Sequence, residues 1–194
     1  MARRSDHTRA ELKQLATESA RAIVVKDGVS ALSVRKVTAR MGYTVGTLYQ
    51  LFDGMDDLVE HMNAMTLAAL YDHCSTGIEQ GDVAAQLKAL GILFIEFAKA
   101  HPHEWDAIMS YRFKDDHTMS EEYHVEILRL FGLMKSATGQ FYGKGEQDEH
   151  SDDMALLWAS LTGIWGVANS ERQVGSSLEQ MIERLIRMYL DARS

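Results

Sequence analysis

Apolar residues recur at intervals of three and four along most of the chain, and the two-residue alternation of a strand is hard to find. In "TRAELKQLATESARAIVVKDG" Leu12, Leu15, Ala16, Ser19, Ala20 and Ile23 trace one helical face, and Gly28 sits where a left-handed cap would end the helix. Ser33 is placed to cap a short helix with Val34, Val37 and Met41 as its apolar positions, ended in turn by Gly42. A long helix from Asp53 or Gly54 to about residue 80 carries Asp56 and Asp57 in its first turn, where the macrodipole favours acids. Its buried face runs through Leu58, Met62, Met65 and Ala69. Further on, Asp82 caps a stripe of Leu87, Leu90, Phe94 and Phe97, Pro102 opens a helix, and Ser120 caps another. "GKGEQDEHSDD" reads as a loop, and helices over about 152–171 and 176–192 close the chain. The fold class is all-α, with about nine helices and no internal repeat.

One stretch departs from this regularity. "MGYTVGTLYQLF", residues 41–52, sets two glycines around small hydroxyl and β-branched residues, which are mediocre helix formers. A short capped helix, a sharp glycine turn and a second short helix form the helix-turn-helix arrangement, whose second helix enters the DNA major groove. Thr44 can cap that helix and contact a phosphate, while Gly46 and Thr47 keep its face thin. Val45 suits a thymine methyl, and Tyr49 and Gln50 point outward as Leu48 and Phe52 point inward. The alternative is an ordinary packing helix.

Charge favours the DNA reading. The chain has a net charge of −8, yet residues 1–50 hold nine Lys/Arg against four Asp/Glu, a local +5, and the remainder carries −13. Such a protein meets nucleic acid with one end only. The lone cysteine, Cys74, excludes an internal disulfide and fits a reducing, cytoplasmic setting, and no secretion signal is visible. The uncharged run at 154–170 is short for a membrane span and contains Ser160, Thr162 and Asn169, so it reads as a buried helix and no membrane partner is expected.

The stretch "LSVRKVTARMGYTVGTLYQLFDGMDDL", residues 32–58, resembles the DNA-binding signature of the TetR (tetracycline-repressor) family of transcriptional regulators, and the helical layout is similar along essentially the whole chain. The resemblance implies a DNA-binding domain over residues 1–54 and an effector-binding and dimerisation domain over 55–194. It implies that Thr44 and Tyr49 hold phosphates, that Val45, Gly46 and Thr47 line the groove, and that Arg35 reaches the backbone or a base edge. With Ser33 and Gln50 these form the expected DNA-binding set. Thr38 and Met41 stand where the family usually has alanine, Tyr43 where it has a small aliphatic, and Leu51 where it often has histidine. Met55 replaces a lysine that contacts phosphate in family members, a loss for which Arg3, Arg4 and Arg9 of the tail can compensate.

The second half is read for a ligand and a partner subunit. Phe94, Trp105, Met109, Phe131 and Trp158 are expected to line a site for a small apolar or aromatic effector, with Arg112 as the one candidate for a charged group. Thr162 needs a partner, either a helix carbonyl or an effector. Ala155, Ala159, Gly163, Gly166 and Ser170 form a thin helical face; with Leu178, Met181, Ile182, Leu185 and Tyr189 of the last helix they predict a two-fold four-helix seam between two copies. "HPHEW" pairs His101 with His103, but the spacing lacks a metal motif, so no metal or cofactor is expected. Glu104 beside them lacks a nucleophile or orienting group. A small all-α enzyme, or a ligand-binding protein without an operator, is the alternative from another class.

Overall fold

The computed structural model describes residues 7–77, 81–168 and 177–193. Arg3, Arg4, Asn169 and Ser170 lie outside the described residues. Among those described there are nine α-helices: α1 Arg9–Asp27, α2 Val34–Met41, α3 Val45–Leu51, α4 Met55–Gly77, α5 Val83–Ala100, α6 Pro102–Ser110, α7 Glu121–Thr138, α8 Gln147–Ala168 and α9 Leu178–Ala192.

The caps explain most of the boundaries. Thr8 and Glu11 form a reciprocal capping box that starts α1. Asp82 accepts from the Ala85 N–H at 2.8 Å, and Ser120 accepts from the Tyr123 N–H at 3.2 Å. Gly42 adopts φ 76°, ψ 25°, the left-handed conformation that closes α2. Gly28 does not match the expected left-handed cap: at φ 78°, ψ 167° it is positive in φ but extended in ψ. It sends the chain into a short 3-10 turn, Val29–Ala31, that sequence periodicity does not signal. The loop expected over 143–153 is half helix, because Asp148 and Glu149 support the first turn of α8.

The chain divides into two compact units, residues 1–68 with 101–126, and 69–100 with 127–194. This division is not the single boundary at residue 54 expected from the sequence. Its cause lies in unit one, where Ala107 of α6 belongs to the same core as Ala20, Val37, Leu48, Phe52 and Met62. Arg21 of α1 donates to the buried Glu104 carboxylate of α6 at 2.7 Å, and His103 bonds the Val25 carbonyl at 2.9 Å. His101 also approaches Glu104, at 3.4 Å. The "HPHEW" motif therefore fastens α6 to α1.

In unit two, α9 packs on α5 and α8. Gly91 permits the close approach of α5, since a Cβ there would lie 2.8 Å from Ile182 Cγ2. Ile182 is 1% exposed, which corrects its expected place in a subunit seam: it is consumed inside the chain. The end of α9 is tied to α8 through Arg193, which donates to Glu149 at 2.7 Å and also to Asp153. Tyr142 shares this network, stacking on His150 with ring centroids 3.8 Å apart and meeting the Tyr189 hydroxyl at 2.7 Å.

Candidate nucleic-acid interface and effector cavity

Helix α3 is seven residues long and depends on its surroundings for order. Leu48, Leu51 and Phe52 are buried in the unit-one core, and Phe52 meets His61 edge-on at 5.4 Å. The Thr44 hydroxyl accepts from the Thr47 N–H at 3.3 Å and lies 3.1 Å from the Thr47 hydroxyl, so one cap serves both residues. What remains outward is Thr44, Val45, Gly46, Tyr49 and Gln50, with Thr47 half-buried among them. Tyr49 is 59% exposed although aromatic, an arrangement that contributes nothing to the core.

Ser33 caps α2 by accepting from the Lys36 N–H at 3.4 Å, and Arg35 is exposed beside it. Arg9 was expected only in the tail. It instead begins α1 and donates to the Gln50 carbonyl at 3.2 Å, bonding a terminal carbonyl of α3. The departures from the family pattern are absorbed by packing. The Thr38 hydroxyl is buried but returns to the Val34 and Arg35 carbonyls at 2.9 and 3.2 Å, and Tyr43 and Met55 pack partly buried against the core. Met55 thus stands as a hydrophobic contact where a lysine would have reached outward.

A polar network unforeseen from sequence binds the α6–α7 connection to the start of α4. The Tyr111 hydroxyl donates to Asp56 at 2.7 Å, and the Lys114 N–H donates to the same carboxylate at 3.3 Å. The Tyr111 bond in particular holds the Asp56 carboxyl below its ordinary range. Glu60 is 1% exposed, and burial pushes its pKa up. Hydrogen bonds from Ser120 and from His117, the latter at 2.5 Å, outweigh that and hold it low. His117 stacks on Phe113 at 4.9 Å, so the imidazole is fixed from its face as well as its edge.

The expected effector residues do not form one group. Phe94 and Trp158 line a small apolar cavity in unit two, together with Leu70, Cys74, Leu133 and Met134. Its free volume is about 20 Å³, close to that of one water-sized group. Phe131 packs on Trp158 with ring centroids 6.2 Å apart. Burial raises the Cys74 thiol to about 12, which leaves it protonated and unreactive at neutral pH. The Thr162 hydroxyl returns to the Ala159 carbonyl at 2.9 Å, so the helix already provides its partner. Trp105 is buried in unit one, whereas Met109 is 43% exposed and Arg112 stands in solvent; the last two are corrected from lining residues to surface ones. Among the described residues no helix is long and apolar enough to cross a membrane.

Comparison with known proteins gives this geometry a context. A family model described as "Bacterial regulatory proteins, tetR family" matches residues 16–62, and one described as "Tetracyclin repressor-like, C-terminal domain" matches residues 87–189. No curated protein matches the chain by sequence. Several solved structures share its fold. A protein of unknown function from Rhodococcus sp. RHA1 matches with a TM-score of 0.71 at 16% identity, covering 98% of each chain. A TetR-family transcriptional regulator from Streptomyces coelicolor matches at 0.66 and 14% identity, over 94% of this chain and 99% of that one. The transcriptional regulator FadR from Bacillus subtilis, solved in complex with stearoyl-CoA, matches at 0.64 and 10% identity, over 90% and 96%.

Proposed function

Since the chain belongs to the tetracycline-repressor family of bacterial transcriptional regulators, we propose that it is a homodimeric repressor released from a near-palindromic operator by a small, neutral, apolar effector. The observation that carries this reading is the two-sidedness of α3. Its inner residues are spent on the core, and its outer face is a thin, capped surface of Val45, Gly46, Thr47, Tyr49 and Gln50. The Thr44 cap and Tyr49 hydroxyl contact phosphates, which position the helix, while Val45 and Thr47 meet base edges, which select the sequence. Ser33, Arg35 and Gln50 support the flanks of that contact. Two such helices in a two-fold dimer read half-sites about 34–36 Å apart.

The seam between copies draws on outward faces of α8 and α9. Ala155, Leu156, Ala159, Gly163 and Gly166 are exposed on α8, and among the described residues nothing lies within 4 Å of a Cβ built on Gly163. On α9 the stripe is Leu178, Met181, Leu185 and Met188, half-buried to exposed at helical spacing; Met188 takes the place expected of Ile182.

The effector enters the unit-two cavity by displacing side chains, for which Met134 is the most adaptable neighbour. Its lining of aliphatic, aromatic and sulfur-bearing side chains includes no charged group, which favours a neutral apolar ligand. FadR of Bacillus subtilis was solved with stearoyl-CoA, whose acyl chain supports an apolar occupant on this fold, although the CoA part of that ligand is anionic. Only residues 52–54 separate α3 from α4, so a shift of the start of α4 carries to the recognition helix. Coupling of about 1–3 kcal/mol would change operator affinity roughly 5- to 150-fold.

Selection of bound sequences from a random duplex library tests the reading. A palindromic consensus should emerge. Tyr49→Phe should weaken binding to all sequences alike, and Val45→Ala or Thr47→Ala should change the consensus within each half-site. Recovery of no consensus, or a consensus altered by Tyr49→Phe and not by Thr47→Ala, would refute it.

A further inference from the structure

Two features of α3 have no purpose inside the chain. Gly46 is exposed in a helix of seven residues, where alanine would suit the helix better. Its φ is not positive, and among the described residues a Cβ built on it would meet only the Thr44 Oγ1, at an ordinary 3.7 Å. Neither backbone conformation nor packing therefore calls for glycine there. Gln50 lies four residues further on, which puts it on the same face, and its exposed amide has no hydrogen-bond partner among the described residues. Helical side chains lean toward the amino-terminal end of their helix, so the Gln50 side chain lies back over the bare surface at Gly46.

The backbone of Gln50 is the part that the fold does hold. Arg9, in the first turn of α1, donates to the Gln50 carbonyl at 3.2 Å. One turn along α1, the Lys13 ammonium lies over the Phe52 ring, 5.4 Å from its centroid. Two cations of one helix thus close on the carboxyl-terminal end of α3, the negative end of its dipole. The place of Arg9 is otherwise an unfavourable one, because a cation in the first turn of α1 opposes the dipole of its own helix.

We infer that Gln50 is a specificity-determining residue that reads one adenine in each half-site, and that Arg9 is the positioning residue that holds it in register. This rests on the operator reading above and adds to it a base and a residue pair. A glutamine amide sets a donor beside an acceptor, the pattern that adenine N7 and N6 complement in the major groove. With Gly46 bare, the amide reaches the base edge without a neighbouring side chain in its path. A long side chain makes a two-bond contact reproducibly only from a fixed root, which the Arg9 bond to its carbonyl supplies. A contact of this kind discriminates against other base pairs by roughly 5- to 150-fold.

Competition binding of the full chain to duplexes built on its selected consensus, with all four base pairs placed at each position, tests this. The wild-type chain should prefer A·T at one symmetric position in each half-site. Gln50→Ala should lose that preference and keep the others. Gln50→Glu should turn it toward C·G, since a carboxylate accepts from cytosine N4. Arg9→Ala should cut the adenine preference by about fivefold or more, and Arg9→Lys should restore it. In the Gln50→Ala background, Arg9→Ala should change nothing at that position. The salt slope of Arg9→Ala should match that of the wild type, whereas loss of a phosphate anchor from each subunit would lower it by about 1.8. Absence of any consensus for the wild-type chain overturns the operator reading and this one with it. A consensus that Gln50→Ala leaves intact overturns this one alone. So does an Arg9→Ala chain that keeps its full adenine preference or loses about 1.8 in salt slope.

Discussion

Replacing Gly91 by alanine sets two opposing effects against each other. In the middle of α5, alanine favours the helix by about 1 kcal/mol over glycine. The added Cβ would lie 2.8 Å from Ile182 Cγ2 and 3.4 Å from Leu161 Cδ2, where carbon contacts normally settle at about 3.5–4.0 Å. Ile182 cannot swing its Cγ2 aside, because a β-branched residue in a helix has one dominant rotamer. The strain must be taken up by moving α9 off α5. Overpacking of this kind costs about 1–3 kcal/mol, so the net expectation is a loss of up to about 2 kcal/mol. At about 2–4 °C per kcal/mol for a chain of this size, the midpoint should fall by a few degrees. Urea denaturation at one fixed protein concentration measures it without confusion from association. The decisive arm is the pair with Ile182→Leu, which moves the branch from Cβ to Cγ. In that background Gly91→Ala should become neutral or mildly stabilising, giving a coupling of about 1 kcal/mol or more. Should Gly91→Ala stabilise both backgrounds equally, the proposed abutment of α5 and α9 is wrong.

Other expectations follow from the same structure. Gly163→Leu, whose Cβ would have nothing within 4 Å among the described residues, should leave the monomer fold intact and shift light scattering from dimer to monomer; an unchanged dimer would place the seam elsewhere. Met55→Lys should add one phosphate contact per subunit and steepen the logarithmic salt dependence of operator binding by about 1.8 for the dimer, read from titrations at several salt concentrations. Thr38→Ala should change stability by under about 1 kcal/mol in thermal melts, since its hydroxyl bonds only carbonyls of its own helix. Glu60 and Asp56 have folded pKa values below their unfolded ones, so their stabilisation is complete above about pH 4 and is lost as pH falls through the folded values. Glu60→Gln should therefore lose about 1–3 kcal/mol at pH 7 and show a shallower decline in acid; parallel acid limbs would contradict it.

The helices and their caps were legible because they are local. Ser33, Thr44, Asp82, Pro102 and Ser120 act on backbone groups within four residues, and the spacing of Leu87, Leu90, Phe94 and Phe97 reports one buried face. The outward set on α3 was legible for the same reason. Pairings distant in sequence were not. Nothing in the local pattern says that Arg21 meets Glu104, that Glu60 meets His117, or that Ile182 turns into its own chain against Gly91. Met109 and Arg112 were misjudged because residue type suggests what could line a site, while exposure depends on which face of α6 the core selects for Met109 and on the connection after α6 for Arg112. Asn63 reads in sequence as one polar residue among many; that both ends of its amide are buried without a partner among the described residues appears only in the structure.

The division of labour along α3 bears on how such a regulator changes over generations. Leu48, Leu51 and Phe52 anchor the helix, and the Thr44 cap sets its start. Val45, Tyr49 and Gln50 stand outside that scaffold, where substitutions typically alter stability by only about 0.5 kcal/mol. If the outward residues read the operator as proposed, a lineage can exchange them one at a time and acquire a new target site while the protein keeps folding. Inheritance of the fold and inheritance of the address it reads are then separate, and a duplicated gene copy could drift to a different promoter long before its architecture showed any trace of the change.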